Sequence, residues 1–129
     1  MKSKKISAVA ALSVSLLTVP ANAATWIYVG EGANSAVHYY DAESLRRSGN
    51  QVTVWTKTDY SQDRTTEWRE DKTRVKYDCA ERSYVNLDMV VYHPSGKVEI
   101  FNAPQPERPL QSVVPDSIGE TKMKTACAR

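Results

Sequence analysis

In three runs between residues 51 and 92 the apolar positions fall on every second residue, the spacing of strands that bury one face. In residues 51–60, Val52, Val54 and Thr56 face one way and Thr53, Trp55 and Lys57 the other, with the β-branched content that strands favour. A polar segment, residues 61–71, leads to a second alternating run in which Thr73, Val75, Tyr77 and Cys79 share a face. A third strand over residues 83–92 puts Val85, Leu87, Met89 and Val91 on one side. For both odd-numbered faces to meet one core, the intervening loop must have an odd number of residues, and Ala80, Glu81 and Arg82 satisfy this. That register sets Arg74 opposite Asp88 on the outer face.

Two shorter strands precede this region, over residues 25–29 and 36–41, the latter with Val37, Tyr39 and Tyr40 beside His38. Asp41 to Ser44 reads as a turn or single helical turn, and Ser48, Gly49 and Asn50 as a second break. His93, Pro94, Ser95 and Gly96 carry the residues of a type I turn, after which Val98 and Ile100 return beside Val91 and Met89. Residues 103–109 hold three prolines and form a connection. The last segment is helical, starting at Pro115 as a first-turn proline or at Ser117 with Glu120 as a capping box. Ile118, Met123, Ala126 and Cys127 form its apolar side, with Glu120 and Lys124 outside it.

Residues 1–23 read as a secretory leader. Lys2, Lys4 and Lys5 precede an apolar stretch of about 14 residues, short of the roughly 20 that span a bilayer, and Ala21, Asn22 and Ala23 form a small-residue cleavage site. No cysteine lies near that site to carry a lipid, so stable membrane insertion is not expected. Cleavage leaves one domain, residues 24–129, in an exported location: the periplasm, the cell surface or the medium. Three lysines leave with the leader, so 14 basic residues face 15 acidic ones. A chain so near neutrality has no global attraction for nucleic acid.

In an oxidising compartment Cys79 and Cys127 are expected to be bonded, pinning the apolar side of the helix over the sheet. Closing a loop of roughly 48 residues stabilises by about 4 kcal/mol in the chain-entropy treatment.

Tyr40, Asp41 and Ser44 through Gly49 and Asn50, then Val54 and Trp55 with Asp59 and Tyr60, Tyr77 to Cys79 followed by Arg82, Val114 to Ile118, and the late Cys127 together resemble the surface-adhesin protein E family. The resemblance runs from Trp26 to Cys127. It implies an α+β fold, an antiparallel sheet of about six strands with the C-terminal helix disulfide-bonded to its concave face. It also implies binding of host matrix proteins.

Lys72, Arg74 and Lys76 alternate on the face opposite the core, and Arg64, Trp68 and Arg69 lie in the loop before them. These six form a candidate partner-binding patch for an acidic protein or glycan, although Glu67, Glu70 and Asp71 interrupt it and an ordinary solvated face would look similar. Trp26 and Trp55 are large enough to anchor a partner but lie in strands, where core or edge packing accounts for them. His38 and His93 lack ligand spacing, so no metal is expected; no cofactor motif occurs, and the scattered carboxylates show no acid and base pair. Asp41, Ser44 and Asp59 suit turns and strand ends. The expectation is a non-enzymatic, exported binding module, with a periplasmic or envelope-associated structural protein, open to dimerisation through a sheet edge, as the alternative.

Overall fold

The computed structural model describes residues 3–5, 8–16, 23–102 and 110–128. Ala21 and Asn22 of the expected cleavage site, with other parts of the leader, and the proline-rich connection 103–109 lie outside the described residues. Among the described residues eight strands build one sheet: β1 (Trp26–Glu31), β2 (Val37–Asp41), β3 (Arg46–Ser48), β4 (Gln51–Asp59), β5 (Glu70–Asp78), β6 (Ser83–Tyr92), β7 (Val98–Asn102) and β8 (Gln111–Ser112), followed by helix α1 (Ile118–Cys127). The order is β1-β2-β4-β5-β6-β7, every pair antiparallel.

Six sheet positions hold eight strands because two short strands complete the edges of longer ones. Strand β2 pairs with β4 at Thr56–Asp59 and β3 with the same strand at Gln51–Thr53. Likewise β7 and β8 pair with opposite ends of β6. Asp41 and Ser44 form the joint between β2 and β3. The Asp41 carboxylate accepts from the backbone N–H of Thr25 and Glu43, both at 3.1 Å. The Ser44 hydroxyl donates to the Asp41 carbonyl at 2.8 Å and accepts from the Trp55 N–H at 2.9 Å. Ala42–Ser44 is thereby a single 3₁₀ turn, and the chain resumes along β4 with its polar groups satisfied. Gly49, at φ +58°, turns β3 into β4.

One face of the sheet is the core. Val52 and Val54 of β4, Val75 and Tyr77 of β5, and Tyr40 of β2 are buried against Met123 and Ala126 of α1, with Val113 completing the cluster. Burying a Val or Met side chain stabilises by about 1.5–3 kcal/mol. The helix begins where the capping box predicts. Ser117 is the N-cap, its hydroxyl accepting from the Glu120 N–H at 3.2 Å, and Pro115 lies outside the helix. Glu120 does not return the bond but turns outward to Arg82 and Lys124. Cys79 and Cys127 are joined, with their Cα atoms 5.9 Å apart, which ties the last turn of the helix to the end of β5.

Two expected registers are corrected. From Arg74 outward β5 and β6 pair as foreseen, with Arg74 opposite Asp88, Thr73 opposite Met89 and Asp71 opposite Val91. Nearer the turn the ladder slips by one residue at a bulge: Val75 faces Asn86, Lys76 faces Val85 and Tyr77 faces Tyr84. The turn closes through four residues because the Asp78 carboxylate accepts from the N–H of Ala80 and Glu81, with Arg82 at positive φ. Leu87 absorbs the mismatch. Tyr84 and Asn86 therefore replace Val85 and Leu87 on the inner face. In β7, Val98 and Ile100 face Tyr92 and Val90, not Val91 and Met89. Here His93 and Lys97 already pair, their N–H to carbonyl distance being 2.9 Å, and Gly96 at φ +89° completes a three-residue loop that sets the register. Ile100 and Val98 consequently lie on the outer side, 67% and 50% exposed.

Candidate functional site

On the outer face, alternation and register bring lysines and aromatic rings into one band. Tyr28 of β1 pairs with Tyr39 of β2, Tyr39 with Lys57 of β4, and Lys57 with Lys72 of β5. Like charges directly opposite repel. Trp26 relieves this, because both ammonium groups lie over its ring, Lys57 at 5.0 Å and Lys72 at 5.9 Å from the centroid. Lys57 also sits 4.6 Å from the Tyr39 ring and Lys72 5.1 Å from that of Tyr92. Tyr28 meets Tyr39 edge to face. Lys72 has a long contact to Glu70 at 3.7 Å, whereas among the described residues Lys57 has no carboxylate within ion-pair distance.

The six patch residues are divided by this geometry. Lys72, Arg74 and Lys76 lie half-buried along the outer face of β5. Arg74 is occupied by Asp88, with Nη2 and Oδ2 2.5 Å apart. Arg69 joins the band through the Tyr92 ring at 5.9 Å. Trp68 instead packs edge to face on Tyr60, and Arg64 is exposed in the loop. Trp26 and Trp55 are both half-buried and outside the core cluster, Trp26 on the edge strand and Trp55 paired across the ladder with Arg74. Sequence reasoning missed Lys57, Tyr39 and Tyr92. Their alternation was visible, but the juxtaposition of Lys57 with Lys72 depends on how the loop between β4 and β5 closes.

The inner face carries a polar cluster beyond the apolar core. Asp71, only 4% exposed, accepts from the Tyr60 hydroxyl at 2.5 Å and the Thr73 hydroxyl at 3.0 Å. Burial pushes its carboxyl above the usual range, and these hydrogen bonds and the charge of Lys122 oppose the shift. Burial, reinforced by the bond to Asp71, raises the Tyr60 phenol. His38 shares a 3.3 Å contact between Nδ1 and the Thr58 hydroxyl. Burial first, and the positive Lys122 second, lower His38 to about 4. Lys122 itself projects inward from α1, and burial lowers its ammonium, with Asp71 pulling the other way. Beside it a cavity of about 390 Å³ opens between α1, β5, β6 and the segment after β8. Sequence analysis found neither Lys122 nor the cavity: the lysine departs from the apolar stripe of its helix, and the bulge sets Tyr84 and Asn86 in the cavity wall in place of the expected Val85 and Leu87. Among the described residues no cluster of three His, Cys, Asp or Glu side chains is arranged to hold a metal ion.

Sheet order, the helix closing one face and the disulfide at its end define a small α+β domain with a polar, ring-bearing outer face. Residues 26–128 match surface-adhesin protein E, and the chain belongs to that family. Among solved structures it is similar to Haemophilus influenzae protein E in crystal form II, with 16% sequence identity, a TM-score of 0.52, and 78% of this chain and 87% of that one covered. At that identity the likeness is one of fold. A comparison with curated proteins gives no match. Among the described residues no helix is long and apolar enough to cross a membrane.

Proposed function

We propose that the domain is an exported, adhesin-like binding module whose outer sheet face holds a protein or glycan partner bearing acidic groups. The observation that carries this is the pair of facing lysines, Lys57 and Lys72, held over Trp26, with Lys57 lacking a carboxylate partner among the described residues. Rings fix the ammonium groups at little conformational cost, and their remaining hydrogen-bond donors are open to an anionic partner. Arg69 and Lys76 extend the positive surface, while a partner's apolar or sugar rings would meet Tyr28 and Tyr39. In this reading residues 1–23 are removed on export and residues 24–129 are the working domain.

The test is surface-based binding of the purified domain to immobilised heparin and to a panel of extracellular-matrix glycoproteins. The double variant Lys57→Gln/Lys72→Gln is expected to lose at least tenfold in affinity for whichever is bound, and Lys124→Gln on the helix to retain it. Equal loss in both, or none in the double variant, would remove the outer face from the function. A periplasmic or envelope-associated role without a host ligand is the second reading, favoured by edge strand β7 with Ile100 and Phe101 exposed. Protease shaving of intact producing cells separates the two: a domain protected until the envelope is permeabilised supports the second.

A further inference from the structure

The cavity beneath α1 lies on the other face of the sheet from the lysine and tryptophan band, so its role is independent of the function proposed above. Its volume of about 390 Å³ is at the lower end of the roughly 300–1,000 Å³ of small-molecule sites. The walls are mostly apolar or aromatic: Val75 and Tyr77 of β5, Tyr84 of β6, and Ile118 at the start of α1. The bulge at Leu87 sets Tyr84 and Asn86 in this wall, where an unbroken alternation would have set Val85 and Leu87.

Positive character enters the wall of this apolar chamber from α1. Lys122 lines it, and although the residue as a whole keeps partial exposure its ammonium lies deep among protein atoms. Among the described residues it has no hydrogen bond and no ion pair. Its opposite charge on the sheet, Asp71, is already engaged by Tyr60 and Thr73. An enclosed cation whose opposite charge is spent on other hydrogen bonds and not in direct contact is costly, and an anion entering the chamber would offset that cost. The first turn of α1 adds to it. Ser117 caps the Glu120 N–H, while the N–H groups of Ile118 and Gly119, both at the cavity wall, have no acceptor among the described residues. Free N–H groups and the positive end of the helix dipole favour a negative group.

We propose that this cavity binds a small carboxylate with an apolar body, the carboxylate meeting Lys122 and the N–H groups of Ile118 and Gly119, the body lying between Tyr77, Tyr84 and Val75. Ordinary hydration of an empty cleft is the competing outcome.

The probe is 4-phenylbutyrate, set against its uncharged isostere 4-phenylbutyramide, in a ¹H–¹⁵N NMR titration of the purified exported protein. The expected result is saturable movement of the Ile118 and Gly119 amides, with the acid binding at least tenfold more tightly than the amide. Lys122→Met should abolish that preference, and Lys124→Gln, on the solvent side of the same helix, should keep it. Absence of saturable shifts, equal affinity for acid and amide, or an undiminished preference in folded Lys122→Met would overturn the proposal. If Lys122→Met does not fold, the comparison of acid with amide on the unaltered protein decides.

Discussion

Arg74 donates from Nε to Oδ2 of Asp88 at 2.6 Å, across the last regular rung of β5 and β6 before the bulge. One step further, Val75 faces Asn86 instead of Leu87. The pair thus marks where two registers meet. Both side chains keep about a third of their surface in water, so the coupling should be modest. A double-mutant cycle with Arg74→Ala and Asp88→Ala, followed by urea unfolding, should give about 0.2–1 kcal/mol, decreasing when salt is raised. A coupling near zero at low salt would contradict the close contact of Nε and Nη2 with Oδ2.

The residues that made this pair legible also limit what was legible. Val52, Val54, Thr73, Val75 and Tyr77 alternate without interruption, and the structure buries all five on one face. Ser117 and Glu120 likewise marked the helix start. The bulge was hidden because Val85 and Leu87 continue an apolar period of two, while the turn chemistry of Asp78 and Arg82 imposes the competing register. Strands β3 and β8, of three and two residues, are too short to leave a period. The outer band was half visible: Lys72, Arg74 and Lys76 follow from alternation within β5, but Trp26, Lys57 and Tyr92 reach them only through pairing across the sheet. Lys122 gave no signal, since an inward lysine looks in sequence like a solvated one.

The bond between Cys79 and Cys127 closes a separation of 48 residues. Cys127→Ser should lower stability by about 4 kcal/mol in the chain-entropy treatment, a large share of a typical total of about 5–15 kcal/mol. Thermal unfolding under non-reducing conditions measures it, and the unaltered protein in reductant should show a comparable fall. An unchanged melting temperature in both would mean that the sheet and helix hold together without the bond.

Asp71 and Tyr60 form a second point of dependence. Tyr60→Phe keeps the ring on Trp68 but removes the hydroxyl that the buried carboxylate accepts from. The expected loss is about 1.5–3 kcal/mol, the range for hydrogen bonds to a charged group. Because burial already raises the Asp71 carboxyl, losing a donor should raise it further, and a pH titration of the Asp71 side-chain carbon by NMR reads that shift. Loss below about 0.5 kcal/mol with no movement of the titration would show that solvent replaces Tyr60, contrary to the burial of Asp71.

His38 gives the fold a pH dependence whose sign follows from its surroundings. Burial and the nearby positive Lys122 lower it from 6.5 to about 4, so between those values the unfolded chain takes up a proton that the folded chain does not. The contribution is complete above about pH 6.5 and is lost as pH falls toward 4. The ring is only partly enclosed, and after discounting for solvent access the loss is about 1–2 kcal/mol. Urea midpoints measured from pH 7 to pH 4 should fall for the unaltered protein and fall less for His38→Gln. Lys122→Met should relieve part of the same decline, because it removes the charge that opposes protonation. Parallel pH curves for His38→Gln and the unaltered protein would assign the decline to other groups.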